Sequence, residues 1–227
     1  MKTLTIIPAR GGSKRFPGKN IHLLNGIPLI VYSIKYAQFH GASTIVVSTD
    51  DDTIADISRA FGAEVINRPP ALSMDTSTTL DAIYHALLDL ENNGNTFDLV
   101  ITLQPTNPLR PKHLWQDALN KFSLHPDSVM SVSLNHLKLG KLSEEGLFIP
   151  ETYQPGQRTQ DLDQLYFENG LFYLTTPELI KQKQLFGKNV QTVITSNQFS
   201  VDIDYMHDLM FAESLIKSNI TEYTYFI

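Results

Sequence analysis

Segments typical of strands and of helices alternate over the first 70 residues, and this order constrains the fold more than any other feature of the chain. An apolar run opens the chain and stops at Pro8. After it, the patterns predict a helix over 27–38, a strand over 44–48, a helix over 53–61 and a strand over 64–67. The order β-α-β-α-β predicts a parallel sheet with right-handed crossovers, and ligands of such sheets lie beyond the carboxyl ends of the strands.

The rest of the chain continues this pattern. Helical periodicity predicts helices over 80–90, 112–122 and 205–217. Apolar and β-branched runs predict strands over 98–103, 128–133, 171–174 and 190–194. The run at 98–103 is the most continuous of these and is expected to be the central strand. The predicted fold class is therefore α/β with a mostly parallel sheet.

Composition restricts the class of protein. With 42% hydrophobic and 19% charged residues, the 227-residue chain can bury a substantial core in one α/β domain. A formal net charge of −6 argues against a nucleic-acid binder. The absence of cysteine excludes disulfides and thiolate metal sites. The N-terminus lacks the apolar core of a signal peptide and no run approaches a membrane span, so we expect a cytoplasmic protein with no membrane partner.

The first predicted strand leads into a loop that is rich in glycine and in positive charge. Over 6–20 the chain reads IIPARGGSKRFPGKN. Glycine allows peptide N–H groups to approach an anion because it has no Cβ, and lysine and arginine neutralise the charge of that anion. The loop matches neither of the two common phosphate-loop signatures, and a solvated basic turn is the alternative. The pattern favours a polyphosphate site.

Two further polar segments follow. Residues 75–79 read DTSTT, which supplies more oxygen atoms than the N-cap of the following helix requires. Residues 104–110 read QPTNPLR, in which two prolines predict a rigid loop that holds polar side chains in place. A well-built turn is the alternative for this second segment.

Asp202 and Asp204 alternate with apolar residues just before the last predicted helix. In an extended segment this alternation places both carboxylates on one side, about two rises of ~3.3 Å apart. A divalent cation relieves the repulsion between such carboxylates, and Mg²⁺ prefers oxygen ligands of this kind. The alternative is that Asp204 caps the helix while Asp202 is solvated. We therefore expect Mg²⁺ or Mn²⁺ at this pair. The histidines show no metal-ligand spacing and do not suggest another metal site.

Glycine, proline and polar residues dominate between 135 and 164, without a long periodic run. A structureless loop of this length is uncommon inside a compact domain, so the segment is expected to be a lid or an excursion that packs on another subunit. The Asn-Gly pair at 169–170 predicts a turn or a bulge before the strand over 171–174.

Five of these segments, in this order, resemble the CMP-nonulosonate synthetases, cytidylyltransferases that join CTP to a nine-carbon 2-keto acid sugar. They are the ARGGSKRFPGKN loop, the DTSTT cluster, QPTNPLR, ENG at 168–170 and VDID at 201–204. The resemblance implies a Rossmann-like sheet of the nucleotide-diphospho-sugar transferase type in a single domain over 1–227. It also implies that approximately 135–165 form a dimerisation arm, and therefore a homodimer.

The resemblance implies roles for the residues that match the family motifs. The catalytic residues would be Arg10, Lys14, Lys19 and Asp204. Binding of CTP would involve Ala9, Arg10, Gly11, Gly12, Ser13, Lys14, Asn20, Ser77 and Thr78. Binding of the sugar would involve Gln104, Thr106, Arg110, Lys138, Arg158 and Asn169. The metal ligands would be Asp202 and Asp204. The chain departs from the family pattern at Thr159 and at Phe167, where relatives carry arginine.

The implied reaction transfers CMP from CTP to the anomeric hydroxyl of sialic or legionaminic acid and releases pyrophosphate. A CMP-Kdo or a CMP-pseudaminic acid synthetase is the enzyme alternative. The Kdo enzymes share the start of the loop but usually lack the ending seen here at Lys19 and Asn20. A nucleotide-binding regulator without turnover is the alternative from another class, and the carboxylate pair argues against it because a mere binder does not need one.

Overall fold

The computed structural model describes residues 1–218, which form a mixed α/β fold. The strands in this part of the chain are β1 (Thr3–Pro8), β2 (Leu23–Leu24), β3 (Ile27–Pro28), β4 (Thr44–Thr49), β5 (Glu64–Asn67), β6 (Leu99–Thr102), β7 (Ser128–Leu134), β8 (Gly140–Leu142), β9 (Phe148–Pro150), β10 (Tyr166–Thr175) and β11 (Val190–Thr195). The helices are α1 (Leu29–Phe39), α2 (Asp52–Ala60), α3 (Thr79–Asn92), α4 (Leu114–Phe122), α5 (Pro177–Lys181) and α6 (Met206–Ser218). The last residues of the predicted domain, 219–227, lie outside the described part.

The central sheet has the strand order β11-β7-β10-β6-β1-β4-β5 within residues 1–218. Strand β10 runs antiparallel to both of its neighbours, and the other pairings are parallel. Strand β6 lies in the middle of this order, which confirms the prediction of a central strand near residues 98–103. The mostly parallel sheet confirms the predicted fold class.

Both faces of the sheet are covered, as parallel sheets require. Successive residues of β1 point to opposite faces, so Ile6 packs in a cluster with Ile83 and Leu87 of α3. Ile7 packs on the other face in the larger cluster, which includes Leu29 of α1. This burial on two faces explains why the strands read as apolar runs rather than as alternating patterns. Among residues 1–218, the helices are too short or too polar to cross a membrane.

The predicted start of the first helix at residue 27 was wrong. Residues Ile27–Pro28 pair with Leu23–Leu24 in a short antiparallel hairpin, and α1 begins only at Leu29. The turn of this hairpin is Asn25-Gly26, with φ of 48° and 80°. Such left-handed pairs are typical of two-residue hairpin turns. Local turn chemistry therefore decided the boundary against the helical periodicity of residues 27–38.

Residues 135–165 form an excursion from the sheet. It contains the hairpin of β8 and β9 and a 3-10 turn over Thr159–Asp161, so the segment is less irregular than its composition indicated. Large apolar side chains on this hairpin are exposed: Leu142, Leu147, Phe148 and Ile149. Its predicted role as a dimerisation arm or a lid stays a prediction.

Candidate active site

An open cavity of about 460 Å³ lies beyond the carboxyl ends of β1 and β6. Its walls come from the basic loop after β1, from the loop after β6 that begins with Gln104, and from Asp75, Thr79 and Asp204. The cavity thus lies where parallel α/β sheets place their ligands. It brings together the basic loop, the hydroxyl cluster, QPTNPLR and the second aspartate of VDID, which are far apart in the sequence.

Backbone contacts fix the start of the basic loop. The N–H of Ala9 donates to Ser48 O at 2.9 Å, and the N–H of Gly11 donates to Asp50 Oδ1 at 3.0 Å. A Cβ on Gly11 would lie 2.7 Å from Asp51 Oδ2, so only glycine fits between the loop and the end of β4. A Cβ on Gly12 would meet no atom within 4 Å. Gly11 therefore serves close packing, whereas Gly12 faces open space.

Asn20 ties the end of the loop to its beginning. Its side-chain Nδ2 donates to Arg10 O at 3.0 Å, and the residue is only 7% exposed. The Oδ1 atom of Asn20 is buried and has no hydrogen-bond partner within the described residues. Asn20 also lines the cavity, so this buried acceptor lies in the wall of the site.

The four cations of the loop form two groups, each organised by one carboxylate. Arg10 Nη1 contacts Asp75 Oδ1 at 3.1 Å, and Lys14 forms an ion pair with the other oxygen of Asp75. On the other side, Asp204 accepts from Lys19 Nζ at 2.8 Å and from Arg15 Nη1 at 2.5 Å. The first carboxylate therefore pairs with Arg10 and Lys14, and the second with Arg15 and Lys19.

These contacts set the charge of both carboxylates. The pKa of Asp75 lies below its ordinary value, chiefly because Lys14 donates a hydrogen bond to it. The pKa of Asp204 is lowered in the same way, first by the hydrogen bond from Lys19. Both groups are therefore anionic, and the cavity contains four positive charges that are balanced in part by two negative ones.

A recess next to the cavity contains Asp202, Glu168 and Tyr173, and it shares Gln104 with the cavity. The Tyr173 hydroxyl donates a hydrogen bond to Glu168 Oε1 at 2.5 Å and accepts one from Gln104 Nε2 at 3.3 Å. Burial, followed by the hydrogen bond and the charge of Glu168, raises the pKa of Tyr173, so its phenol stays neutral. The shared glutamine joins the cavity and the recess into one composite site.

Asp202 and Asp204 lie outside the sheet and face different surroundings. Asp202 lines the recess, where partial removal from water raises its pKa and the like charge of Asp204 adds to that effect. Asp208, in the first turn of α6, accepts from the N–H groups of Asp204 and Tyr205 at 3.0 and 2.8 Å. The Asp204 carboxylate pairs with Lys19 and Arg15, so the described contacts do not support the alternative in which Asp204 caps this helix.

The aspartate pair fits a magnesium ion that takes most of its ligands from substrate phosphates and waters. Residues 1–218 contain no converging group of three or more histidine, aspartate or glutamate side chains. Protein-bound Mg²⁺ often uses one or two carboxylates together with substrate phosphates and waters, which two aspartates can satisfy. Asp204 would have to exchange Lys19 and Arg15 for the metal. The metal site stays a prediction.

A family model described as cytidylyltransferase matches residues 4–223, almost the whole chain. The chain belongs to the cytidylyltransferase family. It is 34% identical to the CMP-N,N'-diacetyllegionaminic acid synthase of Legionella pneumophila, over 96% of this chain and 98% of that protein. It is 33% identical to the pseudaminic acid cytidylyltransferase of Campylobacter jejuni, with the same shares covered.

A third relative is longer than this cytidylyltransferase. The N-acylneuraminate cytidylyltransferase of Streptococcus agalactiae is 35% identical over 92% of this chain, which spans 52% of that protein. Among solved structures, that of CMP:2-keto-3-deoxy-manno-octonic acid synthetase complexed with CTP is similar, with a TM-score of 0.72 at 16% identity. The match covers 96% of this chain and 100% of that chain. The likeness confirms the predicted Rossmann-like fold.

Two residues predicted to contact the sugar make hydrogen bonds inside this cytidylyltransferase. Arg110 is fully buried and donates to Leu171 O and Gln104 O, both at 2.7 Å, and to Ser33 Oγ at 3.0 Å. In this conformation the Arg110 side chain has no exposed surface, so its contact with the sugar is not made here and stays a prediction. Arg110 instead fixes the loop that carries Gln104.

Asn169 is the second such residue. It is 5% exposed, and its side chain accepts from Ser131 and donates to Ser133 and Thr195 at 2.6, 2.9 and 2.8 Å. These contacts occupy the amide and stabilise the irregular pairing of β10 with β7. Asn169 also lines the recess, so its contact with the sugar stays a prediction. The adjoining Gly170 has a φ of 74°, which confirms the predicted bulge.

The residues predicted to bind CTP are only partly brought together. Ala9 is buried, and the Gly11 N–H donates to Asp50, so neither offers the expected donor to CTP. Thr78 is the N-cap of α3 in a capping box with Asp81, and Ser77 Oγ donates to Ala71 O at 3.3 Å. Of the residues in DTSTT that carry a hydroxyl group, Thr79 therefore lines the cavity, together with Asp75 at the start of the segment.

Lys138 and Arg158 lie on the excursion and do not line the cavity or the recess of the described chain. Lys138 contacts Gln157 O, and Arg158 forms a bidentate pair with Asp161 at 2.7 and 3.0 Å. Within one described chain their predicted contact with the sugar is therefore not made.

Some residues of the candidate site were missed by the sequence interpretation. Arg15 and Asp75 were visible as charges within the motifs, yet nothing in the sequence indicated their partners. Glu168 was read only as part of a turn motif, and Tyr173 only as part of a strand. A carboxylate within a hydroxyl cluster that precedes a helix was the available signal for Asp75, because an N-cap does not require it.

Proposed function

We propose that this cytidylyltransferase transfers CMP from CTP to the anomeric hydroxyl of a nonulosonic acid and releases pyrophosphate. The observation that carries the proposal is the composite site, in which a cavity with four cations adjoins a recess with Asp202, Glu168 and Tyr173. The cavity suits a triphosphate, and the recess offers polar groups to a sugar. The names of the three relatives support a nonulosonic acid as the acceptor.

In the proposed reaction the anomeric oxygen attacks the α-phosphorus of CTP, and the bond from this phosphorus to the β-phosphate oxygen breaks. The hydroxyl proton leaves to solvent or to a basic group. Such a transfer depends on positioning and charge neutralisation rather than on a covalent enzyme intermediate. Arg10 and Lys14 would bind the β- and γ-phosphates, while Lys19, which is almost buried, would bind the α-phosphate.

Asp202 and Asp204 would hold Mg²⁺ or Mn²⁺. When bound, the metal would supply charge neutralisation at the phosphates and could lower the pKa of the attacking hydroxyl. Gln104 lies at the border of the cavity and the recess, so it would orient the sugar relative to the α-phosphorus. Thr106 lines the cavity and its carbonyl accepts from Ile203 N at 2.8 Å, which connects QPTNPLR to the aspartate segment.

Sialic and legionaminic acids are the proposed acceptors, with pseudaminic acid and Kdo as alternatives. Pyrophosphate release from CTP and magnesium, measured in parallel with these four sugars, tests the proposal. We expect release with one nonulosonate well above the others. Release with Kdo alone would replace the proposed substrate class. Binding of CTP without release with any sugar would instead support a nucleotide-binding regulator.

We also propose that the enzyme is a homodimer that pairs through residues 135–165. The exposed apolar side chains of the β8–β9 hairpin support this, because a second copy would remove them from water. Pairing would also explain why Lys138 and Arg158 are remote from the cavity of their own chain. Light scattering on the purified chain should give twice the monomer mass. A monomer at micromolar concentration would contradict the proposal.

A further inference from the structure

Asp75 occupies a position that an anionic ligand would otherwise take. Its carboxylate lies in the cavity and pairs with Arg10 through one oxygen and with Lys14 through the other. The side chain of Asp75 is 46% exposed, and that of Lys14 is 82% exposed. The helix cap next to it is built by Thr78 and Asp81 without Asp75. Local helix structure therefore does not account for this carboxylate.

The two cations paired with Asp75 are those that the proposed function assigns to the β- and γ-phosphates. Carboxylate and phosphate oxygens are both anionic acceptors for the N–H groups of arginine and lysine. They cannot occupy the same donors at once, and two anions at this distance would repel each other. A triphosphate that binds through the same N–H groups would displace Asp75 from Arg10 and Lys14.

We propose that Asp75 is a positioning residue that competes with the β- and γ-phosphates of the substrate. It orders Arg10 and Lys14 in the empty site, yields both to the triphosphate, and pairs with them again as pyrophosphate leaves. The inference rests on the proposed function, because it takes the triphosphate subsite from there. Its consequence is that Asp75 weakens the binding of pyrophosphate and so speeds product release.

The strength of the contacts suits such an exchange. Ion pairs between exposed side chains are weak, so a polyphosphate with several charges can displace Asp75. Arg10 Nη1 also donates to Met74 O at 3.1 Å, a bond that does not depend on the Asp75 carboxylate. Arg10 can therefore stay near residues 74–79 after the exchange. The Lys19–Asp204 pair differs, because the Lys19 side chain is only 10% exposed.

The test compares the full chain with its Asp75→Asn variant by calorimetry at constant magnesium, without sugar. Inorganic pyrophosphate, CTP and CMP are the probes. We expect the variant to bind pyrophosphate and CTP about tenfold more tightly, since two weak competing ion pairs are lost. Binding of CMP, which lacks the β- and γ-phosphates, should change less than about twofold. In turnover, the inhibition constant of pyrophosphate should fall by a similar factor.

Glu64→Gln is the matched control, because it removes one negative charge from an exposed residue at the start of β5, opposite the carboxyl end where the cavity lies. Its affinities should equal those of the unmodified chain. Asp75→Ser is a second variant that should act like Asp75→Asn, and thermal unfolding verifies that all variants are folded. Unchanged or weaker pyrophosphate binding in both Asp75 variants would overturn the inference. Failure of the unmodified chain to bind CTP would instead overturn the proposed function as well.

Discussion

Replacing Asp204 with alanine is expected to lower kcat for pyrophosphate release by about 10²- to 10³-fold, the range seen when one preorganised group that stabilises transition-state charge is removed. Asp204 holds Lys19 Nζ at 2.8 Å and Arg15 Nη1 at 2.5 Å, and it is a proposed metal ligand. The fold should remain, because the Asp204 side chain is one-third exposed and lies outside the sheet and the helices. Steady-state kinetics and thermal unfolding measure the two effects separately.

Asp56→Ala is the matched control for this prediction. It also removes a carboxylate paired with an arginine, Arg59, but from the exposed surface of α2. Its kcat should be unchanged. Near-normal kcat in Asp204→Ala would contradict the assigned role. Titration with magnesium separates the two functions of Asp204, because loss of a metal ligand raises the magnesium concentration required, whereas loss of lysine positioning alone does not.

The sequence was most informative for residues in loops that directly follow a strand. A strand that ends at Pro8 and continues into a glycine-rich basic loop forces the loop to the carboxyl edge of the sheet, whatever the rest of the chain does. The same holds for Gln104, which follows the central strand β6. Arg10, Lys14, Lys19 and Gln104 therefore line one cavity, since strand order and loop position are enough to bring them together. Their roles stay predictions.

Side-chain direction could not be predicted in this way. Asn169 and Thr78 are polar residues in motifs, yet their hydrogen bonds are made inside the protein, because the bulge in β10 and the start of α3 each left polar groups that needed partners. Asp75 shows the reverse case. The sequence showed that this carboxylate exceeds what the cap of α3 requires, but not that its partners are cations about 60 residues earlier in the chain. Such pairings depend on tertiary packing.

Arg110 gives the second large expected effect, which is on stability. Arg110→Met should reduce the free energy of unfolding by about 3 kcal/mol, because it leaves two buried carbonyl groups without their donors. Part of that cost is offset, since a buried charge no longer has to be removed from water. Gln104 also loses the contact that fixes its backbone, so kcat/KM for the sugar should fall in the folded fraction. Urea unfolding measures the first effect.

The comparison with Arg158→Met decides between a structural and a ligand-binding role for Arg110. Arg158 has a 70% exposed side chain and an ion pair within its own turn, so its loss should change stability by less than about 0.5 kcal/mol. A direct contact between Arg110 and the sugar would give the opposite pattern, with unchanged urea unfolding and a raised KM for the sugar alone. Because the guanidinium donates to Ser33, Gln104 and Leu171 in three directions, we expect Arg110→Lys to recover stability only in part.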